Sequence, residues 1–187
     1  MGVISLIKAD FNRYVATGGA KGIKILLNPG FLAVAIFRIN RKIYFTFRKV
    51  PIIGYLYAII SFIILKLNQI ILGISFPESF VLGKGLYISH LGTIIVNGNC
   101  SMGENCNLAP MVVIGWGRVN GKEGYPQIGN RVWIGPGAKI FGPIIIEDDV
   151  AIGANAVVNF DVPKNSTVVG SSARIIPNKG SSEYISF

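Results

Sequence analysis

A chain of 187 residues is long enough for one domain with a helical appendage and too short for two full cores. Its apolar share of 51% against 14% charged residues excludes disorder for the bulk of the chain. The net charge of +9 lies wholly in residues 1–72, where ten Lys and Arg face Asp10 alone; from residue 73 onward eight basic residues balance eight acidic ones.

Residues 1–72 therefore form a basic, apolar unit with a preference for an anionic partner. Met1–Ala9 is short and is followed by Asp10 and Arg13, so no secretory signal is expected. FLAVAIFRINRKIYFTFRK and IIGYLYAIISFIILKLNQIIL are long, apolar and nearly free of breakers after Gly54, which predicts two helices. Sixteen uncharged residues separate Lys49 from Lys66. As helix they extend about 24 Å, less than the ~30 Å of a bilayer core. The segment reads as a helix at an anionic membrane interface, held by Arg38, Arg41, Lys42, Arg48 and Lys49. The competing reading packs the helices on each other and lets the cations reach water. A nucleic-acid partner is not expected, because these cations sit among apolar residues rather than along a polar groove.

From residue 73 the pattern changes. Steps of six from Phe76 meet Leu82, Ile88, Ile94, Cys100, Cys106 and Val112, then resume at Ile128, Ile134, Ile140, Ile146, Ile152 and Val158. Gly or Asn follows at Gly83, Asn107, Gly129, Gly135, Gly153 and Asn159, residue types that tolerate tight corners. Neither helix nor hairpin has this period; short strands stacked into a β-solenoid do. Residues 118–127 interrupt the repeat as an extruded loop, and insertions of this kind commonly build sites. Cys100 and Cys106 fall on the inward position and read as core. The chain's one histidine, His90, lies in ISHLG just before the loop, and a lone histidine excludes a three-histidine zinc site. No metal is expected.

ISHLG at 88–92, YPQIG at 125–129, IGPGAKIFG at 134–142, AIGANAVV at 151–158 and VVGSSARII at 168–176 resemble the hexapeptide-repeat acyltransferases. Within them the similarity is to serine O-acetyltransferases and related enzymes that acetylate polysaccharides. The resemblance implies a mainly β fold, a left-handed parallel β-helix over residues 73–176, preceded by the helical segment 1–72 and followed by a tail, 177–187. It implies acetyl-CoA as co-substrate and a homotrimer whose sites lie between subunits. His90 matches the general base that deprotonates the acceptor hydroxyl, a task suited to an imidazole at neutral pH. Ser75 stands where the family places the aspartate that orients this histidine, so either Glu78 takes that part or the base is weaker. Backbone N–H groups around Trp116, between Gly115 and Gly117, are the candidates for the oxyanion. Gly135, Pro136, Gly153 and Ala154 match positions along the acetyl-CoA groove, with Lys139, Lys164 and Arg174 the candidates for its phosphates.

The resemblance also sets the acceptor question. Serine acetyltransferases carry an acid before the histidine and an Arg-His pair at the end of the loop; here Ser89, Gly124 and Tyr125 occupy those places. A neutral sugar of a surface polysaccharide or its precursor is therefore the expected acceptor, met by Ser89, Trp116, Tyr125 and Arg118. L-serine is the alternative acceptor, and a catalytically silent scaffold at the membrane edge is the third reading. The expected location is cytoplasmic, at the inner face of the membrane.

Overall fold

The computed structural model describes residues 2–17 and 22–185; Met1, Lys21 and the last two residues of the tail lie outside them. Helix α1 spans Val3–Ala16, the short α2 Ile23–Leu26, α3 Pro29–Phe47 and α4 Ile53–Leu72. The two predicted helices correspond to α3 and α4. Asn28 caps α3, its side-chain oxygen accepting from the backbone N–H groups of Gly30 and Phe31 at 2.9 and 3.2 Å, and Pro29 sits where a missing N–H costs nothing. Gly73, at φ +71°, ends α4 in the left-handed conformation and hands the chain to the first strand.

The rest is a three-sided prism of parallel strands, a left-handed β-helix. Sheet 1 stacks β1 (Ile74–Ser75), β4 (Ile94–Val96), β7 (Val113–Gly115), β12 (Lys139–Phe141) and β15 (Val157–Val158). Sheet 2 stacks β2 (Val81–Leu82), β5 (Ser101–Met102), β10 (Gln127–Ile128) and β13 (Ile145–Ile146). Sheet 3 stacks β3 (Tyr87–Ile88), β6 (Asn107–Leu108), β11 (Trp133–Ile134), β14 (Ala151–Ile152) and β16 (Ser166–Val169), closed by antiparallel β17 (Arg174–Pro177). The interior is one continuous apolar column, and its dispersion and burial hold the coils together.

The register corrects the steps of six. Ile88 pairs with Leu108, and Val96 with Ile114. The equivalent inward positions are thus Leu82, Ile88, Val96, Met102, Leu108 and Ile114, and the distance from Ile88 to Val96 is eight residues, not six. Ile94, Cys100, Cys106 and Val112 form a second inward column beside them, also buried. The loop is a hairpin of β8 (Gly117–Val119) and β9 (Lys122–Gly124), turned through Asn120 and Gly121 at φ +48° and +76°.

The helices close the open end of the prism through buried polar contacts. Arg38 on α3 donates to both carboxylate oxygens of Asp10 on α1, at 3.0 and 3.2 Å, and to the backbone carbonyls of Leu82 and Gly83. Asp10 also accepts from the N–H groups of Gly85 and Leu86, at 2.7 and 3.0 Å. Burial pushes the Asp10 carboxyl above its ordinary range, and Arg38 and the two N–H groups offset part of that. Tyr14 satisfies the free edge of β3: its hydroxyl accepts from Ile88 N–H at 3.1 Å and donates to Ile88 C=O at 3.3 Å. Gly30 lets α3 approach here, since a methyl group at that position would come within 2.8 Å of the Ile88 carbonyl.

Arg38→Leu leaves Asp10 buried without its cation and is expected to cost about 3–5 kcal/mol. Urea unfolding of the purified protein measures it, and a loss under about 1 kcal/mol, the range of an exposed pair, would remove the pair from the role given to it.

Candidate active site

The extra length in the repeat falls on His90. Three corners join sheet 3 to sheet 1 in the coils above it, and each takes six residues between inward positions: Leu108 to Ile114, Ile134 to Ile140, and Ile152 to Val158. The corner from Ile88 to Val96 takes eight. Ser89 N–H still bonds Leu108 C=O at 3.4 Å, and Gly92 stands over Pro110, where a methyl group would come within 2.6 Å of its Cβ. Stacking thus holds on both sides, and the two residues without a counterpart are His90 and Leu91. Both are exposed. The stacked corners turn through Met111, Gly137 and Asn155 at φ +64°, +74° and +55°, a conformation that Thr93 at the matching place does not take.

Above His90, the same edge collects most of the donor candidates. Pro136 and Ala154 lie exposed at its successive corners, each preceded by a glycine, Gly135 and Gly153. A side chain on Gly135 would meet the Trp133 ring at 2.8 Å and the Ile152 carbonyl at 2.9 Å, so close backbone approach is built in. Lys139 extends onto the edge, its Nζ donating to the carbonyls of Met111 and Gly137 at 2.8 and 3.0 Å. Arg174 is exposed on β17 next to the hairpin turn at Gly170, which receives Val157 N–H above the last corner. Lys164 is elsewhere, lining a groove on sheet 2 with Gln127, Glu147 and Asp148. Small residues, exposed backbone and two cations along one edge fit an extended thioester arm ending in phosphates.

Of the residues assigned to the acceptor, Ser89 stays beside His90, while Trp116, Arg118 and Tyr125 lie on a different edge. The hairpin leaves the prism between sheets 1 and 2, its base packed on the next coil: Gly117 against Phe141 and Gly142, Gly124 against Pro143. Trp116 and Arg118 are exposed, and Tyr125 packs partly against the core. Arg118 pairs with Glu123 across the hairpin, both well exposed. A whole face of the prism, sheet 1, separates this group from His90 and Ser89 within one chain.

Glu78 belongs to neither group, which corrects its expected place beside the histidine. Its carboxylate accepts from Asn40 at 3.1 Å and from Ser61, so it joins α3 and α4 to the first coil. Ser75 lies on the outer face of sheet 1, paired in register with Ile95 on the strand that follows His90's corner. The thiols of Cys100 and Cys106 are pushed up to about 11 and about 12 by burial, so both stay protonated at neutral pH and serve as packing. Among the described residues no group of three or more His, Cys, Asp or Glu side chains could hold a metal ion. Sequence reasoning missed Leu91 and Glu123; the first needs the strand register to be seen, and the second only its place five residues from Arg118 across a short turn.

Residues 125–159 match the bacterial transferase hexapeptide repeat family. A serine acetyltransferase of Helicobacter pylori is 35% identical over 158 residues, covering 81% of this chain and 84% of that protein. The serine acetyltransferase of Synechococcus elongatus is 32% identical over 161 residues, 85% of this chain and 62% of that one. Among solved structures, Neisseria gonorrhoeae serine acetyltransferase superposes with a TM-score of 0.79 at 28% identity, over 93% of this chain and 66% of that one. The soybean apoenzyme gives 0.80 at 27%, over 93% and 69%. This is a hexapeptide-repeat transferase. More narrowly, the chain belongs to the serine acetyltransferase family: it is an O-acetyltransferase whose acetyl donor is acetyl-CoA.

The relatives overturn the expected sugar acceptor, since the proteins that resemble this chain over four fifths of its length are serine acetyltransferases. The silent scaffold falls with it.

If the expelled pair exists for chemistry and not for the coil, deleting both His90 and Leu91 restores a six-residue corner. The deletion variant is expected to keep its far-UV circular dichroism and lose acetyl transfer, as His90→Asn does by roughly 10²–10⁴-fold. Near-full activity in folded His90→Asn, or collapse of the fold on deletion, would contradict this reading.

Proposed function

We propose that this enzyme transfers the acetyl group of acetyl-CoA to the side-chain hydroxyl of L-serine. Support comes from the kinship and from one geometric fact, that His90 is pushed out of the repeat at the lower end of the edge carrying the donor candidates. In this reading the imidazole of His90 takes the hydroxyl proton as the serine oxygen attacks the thioester carbonyl. The C–S bond then breaks, and the proton passes to the leaving thiolate, giving free CoA and O-acetyl-L-serine. Ser75 puts no charge near the imidazole, so the base would work without the electrostatic help an aspartate gives.

A zwitterion needs both signs of charge in its pocket. Ser89, Gly124 and Tyr125 supply none, but the exposed pair of Arg118 and Glu123 supplies both within one hairpin. Because the hairpin and His90 occupy different edges, the site closes when three copies pack around a threefold axis and the hairpin of one meets the His90 edge of its neighbour. Trp116 and Tyr125 would then wall the pocket, with the Gly115–Gly117 backbone beside the developing oxyanion.

CoA release measured with L-serine as acceptor tests the proposal: release well above thioester hydrolysis is expected, and serine-independent release would refute it. Arg118→Ala and Glu123→Gln should each raise the KM for L-serine about tenfold or more, the loss of one charge-assisted hydrogen bond, while the KM for acetyl-CoA stays put. Light scattering should give a trimer; an active monomer would exclude the shared site.

A further inference from the structure

Helix α4 leaves an unusual surface uncovered. Its 20 residues have a mean hydropathy of 1.8 in the most apolar window, of which only 11% is buried within the protein. Exposed Ile53, Leu56, Ile59, Ile60, Ile63 and Ile70 share one side. With Tyr55, Phe62, Leu67 and Ile71, and at 100° per residue, they sweep roughly half of the helix circumference. A neighbouring helix covers an apolar stripe closer to a third of the circumference. A surface this wide is suited to a medium that surrounds the helix, not to a single protein ridge.

The inner side is tied down. Asn68 Nδ2 donates to Ile74 C=O at 3.3 Å, Tyr57 OH to Asn40 Oδ1 at 2.9 Å, and Ser61 to Glu78. These bonds fix α4 antiparallel against α3, whose own inner residues Phe31, Val34 and Phe37 are in the solenoid core or beside it. A transverse passage through a bilayer would break them, so the helix lies along a surface. Between the two helices an open apolar groove of about 550 Å³, walled by Ile36, Ile39, Ile43, Ile64 and Leu67, has the dimensions and lining for an acyl chain. Cations mark the rim at the start of α4: Arg48 and Lys49 line a cleft with Ile52, Gly54 and Tyr55, and Arg48 lies over the Phe45 ring at 4.5 Å. Lys66 lies over the Phe62 ring at 5.5 Å within the apolar sector, where its stem can carry the charge outward. Arg41 and Lys42 sit apart, in a cleft with Val3 and Leu6 of α1. The sole acid of this segment, Asp10, is sealed in its pair with Arg38, and the nearby Glu78 is held by Asn40 and Ser61; among the described residues neither forms an ion pair with Arg48 or Lys49.

We infer that the outer face of α4, with the groove it forms on α3, docks the enzyme on an anionic lipid bilayer. The apolar half-cylinder sinks into the acyl boundary, and the rim cations meet lipid phosphates. This attachment is separate from acetyl transfer, which proceeds in solution on the solenoid.

Flotation of the full chain with vesicles of phosphatidylcholine alone, or with phosphatidylglycerol added, tests it. The protein should float with the anionic vesicles, far less with neutral ones, and detach as salt rises. Arg48→Gln with Lys49→Gln should lower the partition about thirtyfold, near fivefold per cation. Replacing Ile59, Ile60 and Ile63 with Ser should abolish it, and both variants should retain solution acetyl transfer. Absence of anionic-vesicle binding, or binding indifferent to both variants, would overturn the inference. So would an assembly larger than a trimer that Ile60→Glu dissolves, since that makes a second copy the occupant.

Discussion

A coil of this solenoid must return the chain to the same place after three sides, because every strand is bonded to the one a full turn above and below it. That constraint leaves no room for a residue too many inside the wall. Any surplus must leave the prism at a corner, and the structure does this twice before the last coil: two residues at His90–Leu91, and the longer surplus at the hairpin between Ile114 and Ile128. The exceptions to the repeat hold the groups with chemistry to offer, the single imidazole and the Arg118–Glu123 pair. The regular coils supply the wall and, along one edge, small residues at two successive corners, Gly135–Pro136 and Gly153–Ala154.

Expelled residues are useful only if their flanks are fixed, and here the helical cap contributes. Ile88 is two residues before His90 on the first strand of its sheet, with no coil beneath to bond it. Tyr14 takes both of its backbone groups, and the Asp10–Arg38 pair holds α1 and α3 against the coil one corner earlier. The cap thus connects a buried ion pair to the placement of an exposed histidine. Its burial among satisfied donors specifies one docking of helices on solenoid, and Glu78 repeats the device on the other side with Asn40 and Ser61.

Much of the fold was legible because the inward residues of a solenoid recur at one spacing whatever the turns between them contain. The slip between Ile88 and Val96 was not, since Ile94, Cys100, Cys106 and Val112 are apolar and buried in their own column. A second apolar column masks a change of register in the first. Helix α1 escaped notice for a different reason: its buried residues are Asp10, Arg13 and Tyr14, which a hydrophobic pattern assigns to solvent. His90 stood out by its uniqueness, and the donor candidates by their small residues at the corners. Glu78 was misplaced because nearness in sequence to Ser75 says nothing about which edge of a prism a side chain faces. The sugar acceptor came from the same kind of error: three positions without charge were taken as a pocket without charge, while the hairpin carried an acid and a base that no local motif connects to His90.

The central claim is that one active site is divided between two edges of neighbouring subunits. Subunit mixing measures it directly. Trimers of His90→Asn chains and trimers of Arg118→Ala, Glu123→Gln chains should each be poor at acetylating L-serine at low serine concentration. Unfolded and refolded together, they should form mixed trimers in which some sites draw an intact His90 from one chain and an intact hairpin from the next, so activity returns. Mixtures that re-form trimers and stay as inactive as their parents would show that each site is built within a single chain.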